Sequence, residues 1–134
     1  MVKSEGVPVA AIDLGLKRIG LAISMDGSMA TPLPAVERKN RNQASAAVRE
    51  VLKEWGVKSV VVGIPLGGSS EAEMRRRVAH FMNLVDYDAP LHYQDESDSS
   101  LEAEALMRGD IRYKRDGRVD SLSAMIILQR YLGV

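Results

Sequence analysis

The chain has 134 residues, with 18 Lys and Arg balanced by 18 Asp and Glu, and it contains no cysteine. This length is typical of one domain, so we expect residues 1–134 to form a single domain. The composition excludes disulfides and sulfur-bound zinc, no apolar run approaches the ~20 residues of a membrane span, and the N-terminus lacks the apolar core of a signal peptide. These features favour a cytoplasmic protein that has no membrane contact.

Two apolar runs near the N-terminus predict a β-hairpin, with strands over Val7 to Ile12 and Ile19 to Ser24. Asp13 stands where the first strand meets its turn, and a charge there costs several kcal/mol unless it is solvated, paired or metal-bound. Lys17 and Arg18 place two cations beside this acid. The pattern fits a site for phosphate and metal, and it fits equally well an aspartate that caps the turn.

The rest of the chain alternates predicted strands and helices. In chain order these are a strand over Leu33 to Glu37, a helix from about Asn42 to Gly56, a strand over Ser59 to Gly63, a helix after a Ser70–Glu73 capping box, a strand over Leu91 to Gln94, a helix from a Ser99–Glu102 capping box to about Arg108, a basic loop from Gly109 to Gly117, and a last helix that Asp120 opens. Three antiparallel strands followed by crossovers predict an α/β fold, a mixed five-stranded sheet flanked by helices on both faces.

Charge is unevenly distributed along the chain. The segment 86–104 carries seven acids and no Lys or Arg, and a basic cluster with Arg112, Lys114, Arg115 and Arg118 follows it. Three consecutive arginines, Arg75 to Arg77, fall on a predicted helix, where such runs usually form a solvated face.

Three acids are expected to meet at one edge of the sheet. Functional groups tend to collect at the carboxyl ends of parallel strands, and Asp13 and Glu96 each follow such a strand. They share an edge if the last strand lies beside the first and parallel to it, and Asp120 could reach them from the last helix. Such carboxylates suit Mg²⁺ or Mn²⁺, and two ions about 4 Å apart can drive phosphodiester hydrolysis.

Each acid also has a purely structural interpretation. Asp120 would be a good helix cap, and Glu96 could be a solvated turn residue. His80 and His92 stand singly, without metal-ligand spacing, and we expect both to be structural.

Four motifs, in order and over nearly the whole chain, resemble the YqgF (RuvX) family. They are Ile12 to Ala22, Val61 to Leu66, Asp95-Glu96 with Ser99 to Glu104, and Asp120 to Leu132. The resemblance implies an RNase H-like fold and a Mg²⁺-dependent nuclease (or one using Mn²⁺). The family is described both as a nuclease that matures the 5′ end of pre-16S rRNA in ribosome biogenesis and as a Holliday junction resolvase.

The resemblance also assigns the site. The family's catalytic and metal-binding acids fall on Asp13, Glu96 and Asp120. On this interpretation Asp13 bridges two ions, and the substrate phosphates meet five cations: Lys17, Arg18, Lys114, Arg115 and Arg118. The implied partners are structured RNA or branched DNA, and ribosome assembly intermediates, with the protein acting as a monomer or a homodimer.

Two departures and two rival classes accompany the resemblance. Ser97 stands where members usually carry Arg, a loss that Arg18 or Lys114 could compensate, and the loop after Leu66 is shorter than usual. A non-catalytic nucleic-acid-binding module is one rival. Actin-like ATPases and sugar kinases, whose phosphate-binding turn resembles Asp13-x-Gly15-x-x-x-x-Gly20, are the other, but 134 residues cannot supply their second domain.

Overall fold

The structure is a computed structural model, and it describes residues 6–107 and 117–134. Its elements, in chain order, are β1 (Val9–Leu14), β2 (Arg18–Ser24), β3 (Thr31–Glu37), α1 (Arg41–Glu54), β4 (Ser59–Ile64), α2 (Glu71–Val85), β5 (Leu91–Asp95), α3 (Ser99–Met107) and α4 (Gly117–Leu132). Among these helices, none has the length and hydropathy needed to cross a membrane. Most of the predicted basic loop lies outside the described residues.

The five strands form one mixed sheet in the order β3-β2-β1-β4-β5. β1 to β3 are antiparallel neighbours, whereas β4 runs parallel to β1 and β5 parallel to β4. The predicted mixed sheet is thus confirmed. The last strand does not lie beside the first, which was the condition stated for a shared edge, because β4 lies between them. Since β1, β4 and β5 share one direction, their carboxyl ends still meet at one edge.

Helices cover both faces of the sheet because the central strands are apolar on both sides. All six residues of β4 are buried. Ile12 of β1 packs in the cluster that contains residues of α1 and α2. Its neighbour Ala11 packs in the opposite cluster, with residues of α4. The alternation of a strand therefore divides the core into two layers, with α1 and α2 on one face and α4 on the other.

Helix starts differ in detail from the sequence predictions. α4 begins at Gly117, so Asp120 lies in its first turn and does not open it. Ser70 precedes α2, but its side chain makes no capping hydrogen bond. Glu102 of the predicted second capping box instead forms an ion pair with Arg130. α1 carries a capping box, between Asn40 and Gln43.

Candidate functional site

Three acids lie around one pocket at the carboxyl edge of the parallel strands. Asp13 is the penultimate residue of β1, Asp120 lies in the first turn of α4, and Glu96 directly follows β5. The Glu96 amide donates to the carbonyl of Ile64 at 2.9 Å, which extends the pairing of β5 with β4 by one residue. All three acids line an open pocket of about 450 Å³.

Asp13 and Glu96 interact directly. The pKa of Glu96 rises from 4.5 to about 8, first because the carboxyl is buried, then because of the charge of Asp13, a hydrogen bond with Asp13 and the charge of Asp95. A proton therefore stays between two carboxyl groups at neutral pH when no cation is present. Paired hard oxygen donors that repel each other once ionised are what a divalent cation stabilises, so these residues fit a metal.

Asp120 faces the same pocket but is paired with a cation. Arg18 donates from Nε to Oδ2 of Asp120 at 2.8 Å, and their side chains are only 22% and 14% exposed. In residues 6–107 and 117–134, no three His, Asp or Glu side chains are close enough together to hold a metal ion. The structure thus brings two of the predicted acids into contact and holds the third nearby on Arg18.

A glycine lets α4 come close enough to place Asp120 there. Gly20 lies opposite Asp13 in the β1–β2 ladder. A Cβ at Gly20 would overlap the backbone carbonyl of Asp120, so only a residue without a side chain permits this approach. The next residue of α4, Ser121, is buried and donates from its hydroxyl to the carbonyl of Leu33 in β3. The first turn of α4 is therefore fixed on the sheet beside Asp13.

The turn that carries Glu96 is held by Asp95. One Asp95 carboxylate oxygen accepts from the Leu66 amide at 3.2 Å, and from the Ser97 hydroxyl at 2.8 Å and its amide at 3.2 Å. The hydrogen bond from the Ser97 hydroxyl contributes most to a lowered pKa of Asp95. Ser97 therefore has a structural contact of its own where the family usually carries arginine.

An arginine reaches this turn from α4 instead. Arg130 Nη1 donates to the carbonyls of Asp95 at 3.2 Å and of Ser97 at 2.8 Å, and its Nη2 donates to Glu102 at 2.9 Å. Of the two cations proposed as substitutes, Arg18 binds Asp120, and Lys114 lies outside the described residues.

The other predicted residues are spread around the site. Lys17 is exposed on the β1–β2 turn and Arg118 is exposed in the first turn of α4, whereas Arg115 lies outside the described residues. His80 contacts Arg41, with Nε2 3.1 Å from Nη1, and the ring of His92 lies 5.4 Å from that of Tyr131. Neither histidine lines the acidic pocket.

Sequence reasoning assigned no role in the acidic site to Gly20, Ser121 or Arg130. All three lie inside the first and last motifs that carry the family resemblance. Membership in these motifs is the feature of the sequence that could have indicated their importance. Their contacts join segments about a hundred residues apart, or join α4 to the turn after β5, and local patterns do not contain such information.

A mixed sheet in this order, with acids at the carboxyl edge of its parallel strands, defines an RNase H-like protein. Two solved structures share the fold. T. thermophilus RuvC in complex with a Holliday junction has a TM-score of 0.55 and 18% sequence identity, and the match covers 93% of this chain and 95% of that one. Fowlpox virus resolvase in complex with Holliday junction DNA has a TM-score of 0.56 and 11% identity, and the match covers 95% of this chain and 97% of that one.

The family model RuvX, described as Holliday junction resolvase, matches residues 7–133, and the chain belongs to this family. A Sulfurimonas denitrificans protein is 70% identical over 91% of this chain and 94% of its own length. A Sulfurovum protein is 52% identical over 94% of this chain and 98% of its own length. A Helicobacter hepaticus protein is 40% identical over 92% of this chain and 94% of its own length. Each of the three is named as a candidate pre-16S rRNA nuclease. The predicted fold and family are both confirmed.

Proposed function

We propose that this chain is a single-domain, divalent-metal-dependent nuclease that hydrolyses phosphodiester bonds and matures the 5′ end of pre-16S rRNA. The observation that carries the chemistry is the contact between Asp13 and Glu96 at the carboxyl edge of parallel strands, where burial first and Asp13 second raise the pKa of Glu96 to about 8. The names of the relatives support the choice of substrate.

Asp13 and Glu96 would hold the cation, with Asp120 completing the set from α4. Oxygen donors of this kind suit Mg²⁺ or Mn²⁺. Bound there, the metal would supply an activated water and would stabilise charge on the leaving oxygen. All three acids line the same pocket, which is open enough to admit a phosphodiester.

The chain's other residues would position these acids and the substrate. Arg130 fixes the turn around Glu96, and Arg18 orients Asp120 through its hydrogen bond to Oδ2. Exposed Lys17 and Arg118, together with Lys114 and Arg115, would meet substrate phosphates and thereby set affinity without reading sequence.

A pre-rRNA substrate would place the protein in the cytoplasm, acting on ribosome assembly intermediates. Trimming one RNA end needs one active site, so a monomer suffices for this activity.

Resolution of Holliday junctions is the second candidate, and the likeness of the fold to two resolvases bound to junctions favours it. Paired cuts on two strands need paired sites related by symmetry, so this function requires a homodimer. A binding module without catalysis is less well supported, because Arg130 supplies a cation to the turn where Ser97 replaces the usual arginine.

Three substrates separate these functions: a pre-16S leader RNA, an RNA of the same length with scrambled sequence, and a four-way DNA junction. Each is incubated with Mg²⁺, Mn²⁺ or EDTA while light scattering gives the mass of the protein. Metal-dependent cleavage at the 5′ boundary of the leader, absent from the scrambled RNA, supports the proposal. Cleavage of the junction alone, by a dimer, would replace it with the second candidate.

A further inference from the structure

A second groove, of about 610 Å³, lies beside the acidic pocket and is lined by cations. Its polar lining is Arg38, Lys39, Arg41, Arg76, Arg77 and His80, together with Asn40. We propose that this basic groove binds the sugar-phosphate backbone of the RNA whose scissile bond lies at Asp13 and Glu96. The inference rests on the proposed nuclease function and assigns a second contact region to its substrate.

The charge of the groove is concentrated and uncompensated. The whole chain has a formal net charge of zero, yet five Lys and Arg line this groove and no acid does. Within the described residues no carboxylate forms an ion pair with any of the five, and Glu73, one turn before Arg77, does not pair with it. Like charges gathered in a concave surface repel each other and attract an extended anion.

The arginine triplet on α2 divides into two roles. Arg75 binds Glu71 at 2.9 Å, and its guanidinium lies 4.7 Å from the centre of the Tyr93 ring. Arg76 and Arg77 line the groove, where Nη1 of Arg77 lies 3.8 Å from the sulfur of Met74. Within the described residues neither of these two arginines forms an ion pair, so both guanidinium groups are available to an anionic ligand.

The groove is coupled to the acidic pocket through the β1–β2 turn. Asp13 and Leu14 are adjacent in β1 and so point to opposite faces of the sheet; Asp13 lines the acidic pocket and Leu14 lines the groove. The turn between the two sites begins with Leu14, Gly15 and Leu16. Three residues span at most ~10 Å, so a bound strand would need only a few nucleotides to reach from one site to the other.

Arg38 fastens this turn to the groove. Its Nη1 donates to the Gly15 carbonyl at 2.9 Å, its amide donates to the Lys17 carbonyl at 2.8 Å, and its guanidinium lies 5.5 Å from the centre of the Phe81 ring of α2. The groove and the acids therefore keep a fixed spacing. A strand in the groove would present a phosphodiester a few nucleotides further on to the acidic pocket.

The test is binding of the leader RNA in EDTA, measured by fluorescence anisotropy across a range of salt concentrations. The variant R76A/R77A removes two exposed charges from the groove and leaves Arg38 in place. The matched control K53A/K58A also removes two exposed positive charges, one from the last turn of α1 and one just before β4, away from the acidic edge. Thermal melts check that both variants fold.

We expect R76A/R77A to bind on the order of tenfold more weakly at 0.1 M salt, and its slope of log K against log salt to be shallower by about 1.4, since each phosphate contact on a single strand contributes ~0.7. K53A/K58A should match the wild type. Equal slopes for all three proteins would overturn the inference, even if the wild type cleaves RNA. If R76A/R77A has the shallower slope but the wild type cleaves no RNA, the basic groove is still an RNA-binding site, and the proposed nuclease activity is refuted.

Discussion

Arg18 and Asp120, which are 102 positions apart in the sequence, are joined by a hydrogen bond of 2.8 Å between Nε and Oδ2. The guanidinium neutralises the third acid of a pocket in which Glu96, with its pKa raised to about 8, is hydrogen-bonded to Asp13. The Arg18 guanidinium thus supplies positive charge to Asp120, as a bound metal would. Recruitment of Asp120 by a metal therefore has to compete with Arg18.

Removing Arg18 should make the protein more dependent on divalent cations. R18A loses a largely buried charged hydrogen bond, so without metal we expect it to be on the order of 1–3 kcal/mol less stable than wild type. Because Asp120 then no longer has the Arg18 guanidinium beside it, added Mg²⁺ should raise the melting temperature more in R18A than in wild type. The matched control is K17A, which removes an exposed cation from the same turn. An equal Mg²⁺ shift in all three proteins would contradict this account of Asp120.

Glu96 gives the metal-free protein a characteristic pH dependence. Because burial and Asp13 raise its pKa from 4.5 to about 8, the folded state keeps a proton that the unfolded chain loses. Stability should fall as pH rises from about 4.5 to about 8 and then level off, whereas Mg²⁺ affinity should rise over the same interval as the metal displaces the proton.

Urea unfolding at a series of pH values measures the change in stability, and Mg²⁺ titration at the same pH values measures the change in affinity. The variant E96Q should lose both pH dependences. The difference between wild type and E96Q isolates Glu96 from carboxyls of lowered pKa, such as Asp26 and Asp95, which act at lower pH. E54Q, at an exposed acid of α1, is the control and should keep the wild-type profiles. Identical profiles for E96Q and wild type would show that Glu96 is ionised at neutral pH.

Gly20 should be intolerant of even one methyl group. In G20A the new Cβ meets the carbonyl of Asp120, so the first turn of α4 must move away from Asp13. We expect a loss of about 1–3 kcal/mol in the free energy of unfolding, together with reduced cleavage. G68A adds the same methyl where nothing lies within 4 Å, and its stability should stay within about 0.5 kcal/mol of wild type. Full stability and activity in G20A would refute the close approach.

Arg130 is a positioning residue for Glu96. R130A removes the donors to Asp95 and Ser97, so the turn loosens and Glu96 becomes better solvated. We expect slower cleavage, with the acidic limb of its pH profile moved to lower pH as the pKa of Glu96 falls. R49A is the matched control, since Arg49 donates to the carbonyl of Val85 at the end of α2. If R130A lost stability but kept the wild-type pH profile, its role would be structural alone.

The sequence predicted the sheet and the location of the acids because both depend on local patterns. Apolar runs in the sequence predict β1 and β4. Asp13 marks the end of β1, and the Asp95-Glu96 pair marks the end of β5. Parallel connections then bring those ends to one edge. Asp120 was expected to reach the site from the first turn of the last helix, and it lies in that turn, although α4 begins at Gly117 and not at Asp120.

Contacts between distant segments were not predictable in this way. The separation of β1 from β5 by β4 depends on the whole topology, and the partners of Arg18 and Arg130 depend on where α4 crosses the sheet. Likewise, Arg75 to Arg77 form one uniform basic run in sequence, and only the packing of α2 against β5 shows that Arg75 is engaged while its neighbours face a groove.

Cleavage of the pre-16S leader RNA by wild type and D13N, with Mg²⁺ and Mn²⁺ in parallel, tests the central claim most directly. Asparagine keeps the size of Asp13 and relieves its repulsion of Glu96, so D13N should fold with at least wild-type stability. The account predicts metal-dependent cleavage by wild type and a loss of activity of at least about a hundredfold in D13N. Equal cleavage by the two proteins, or wild-type cleavage that persists in EDTA, would contradict it.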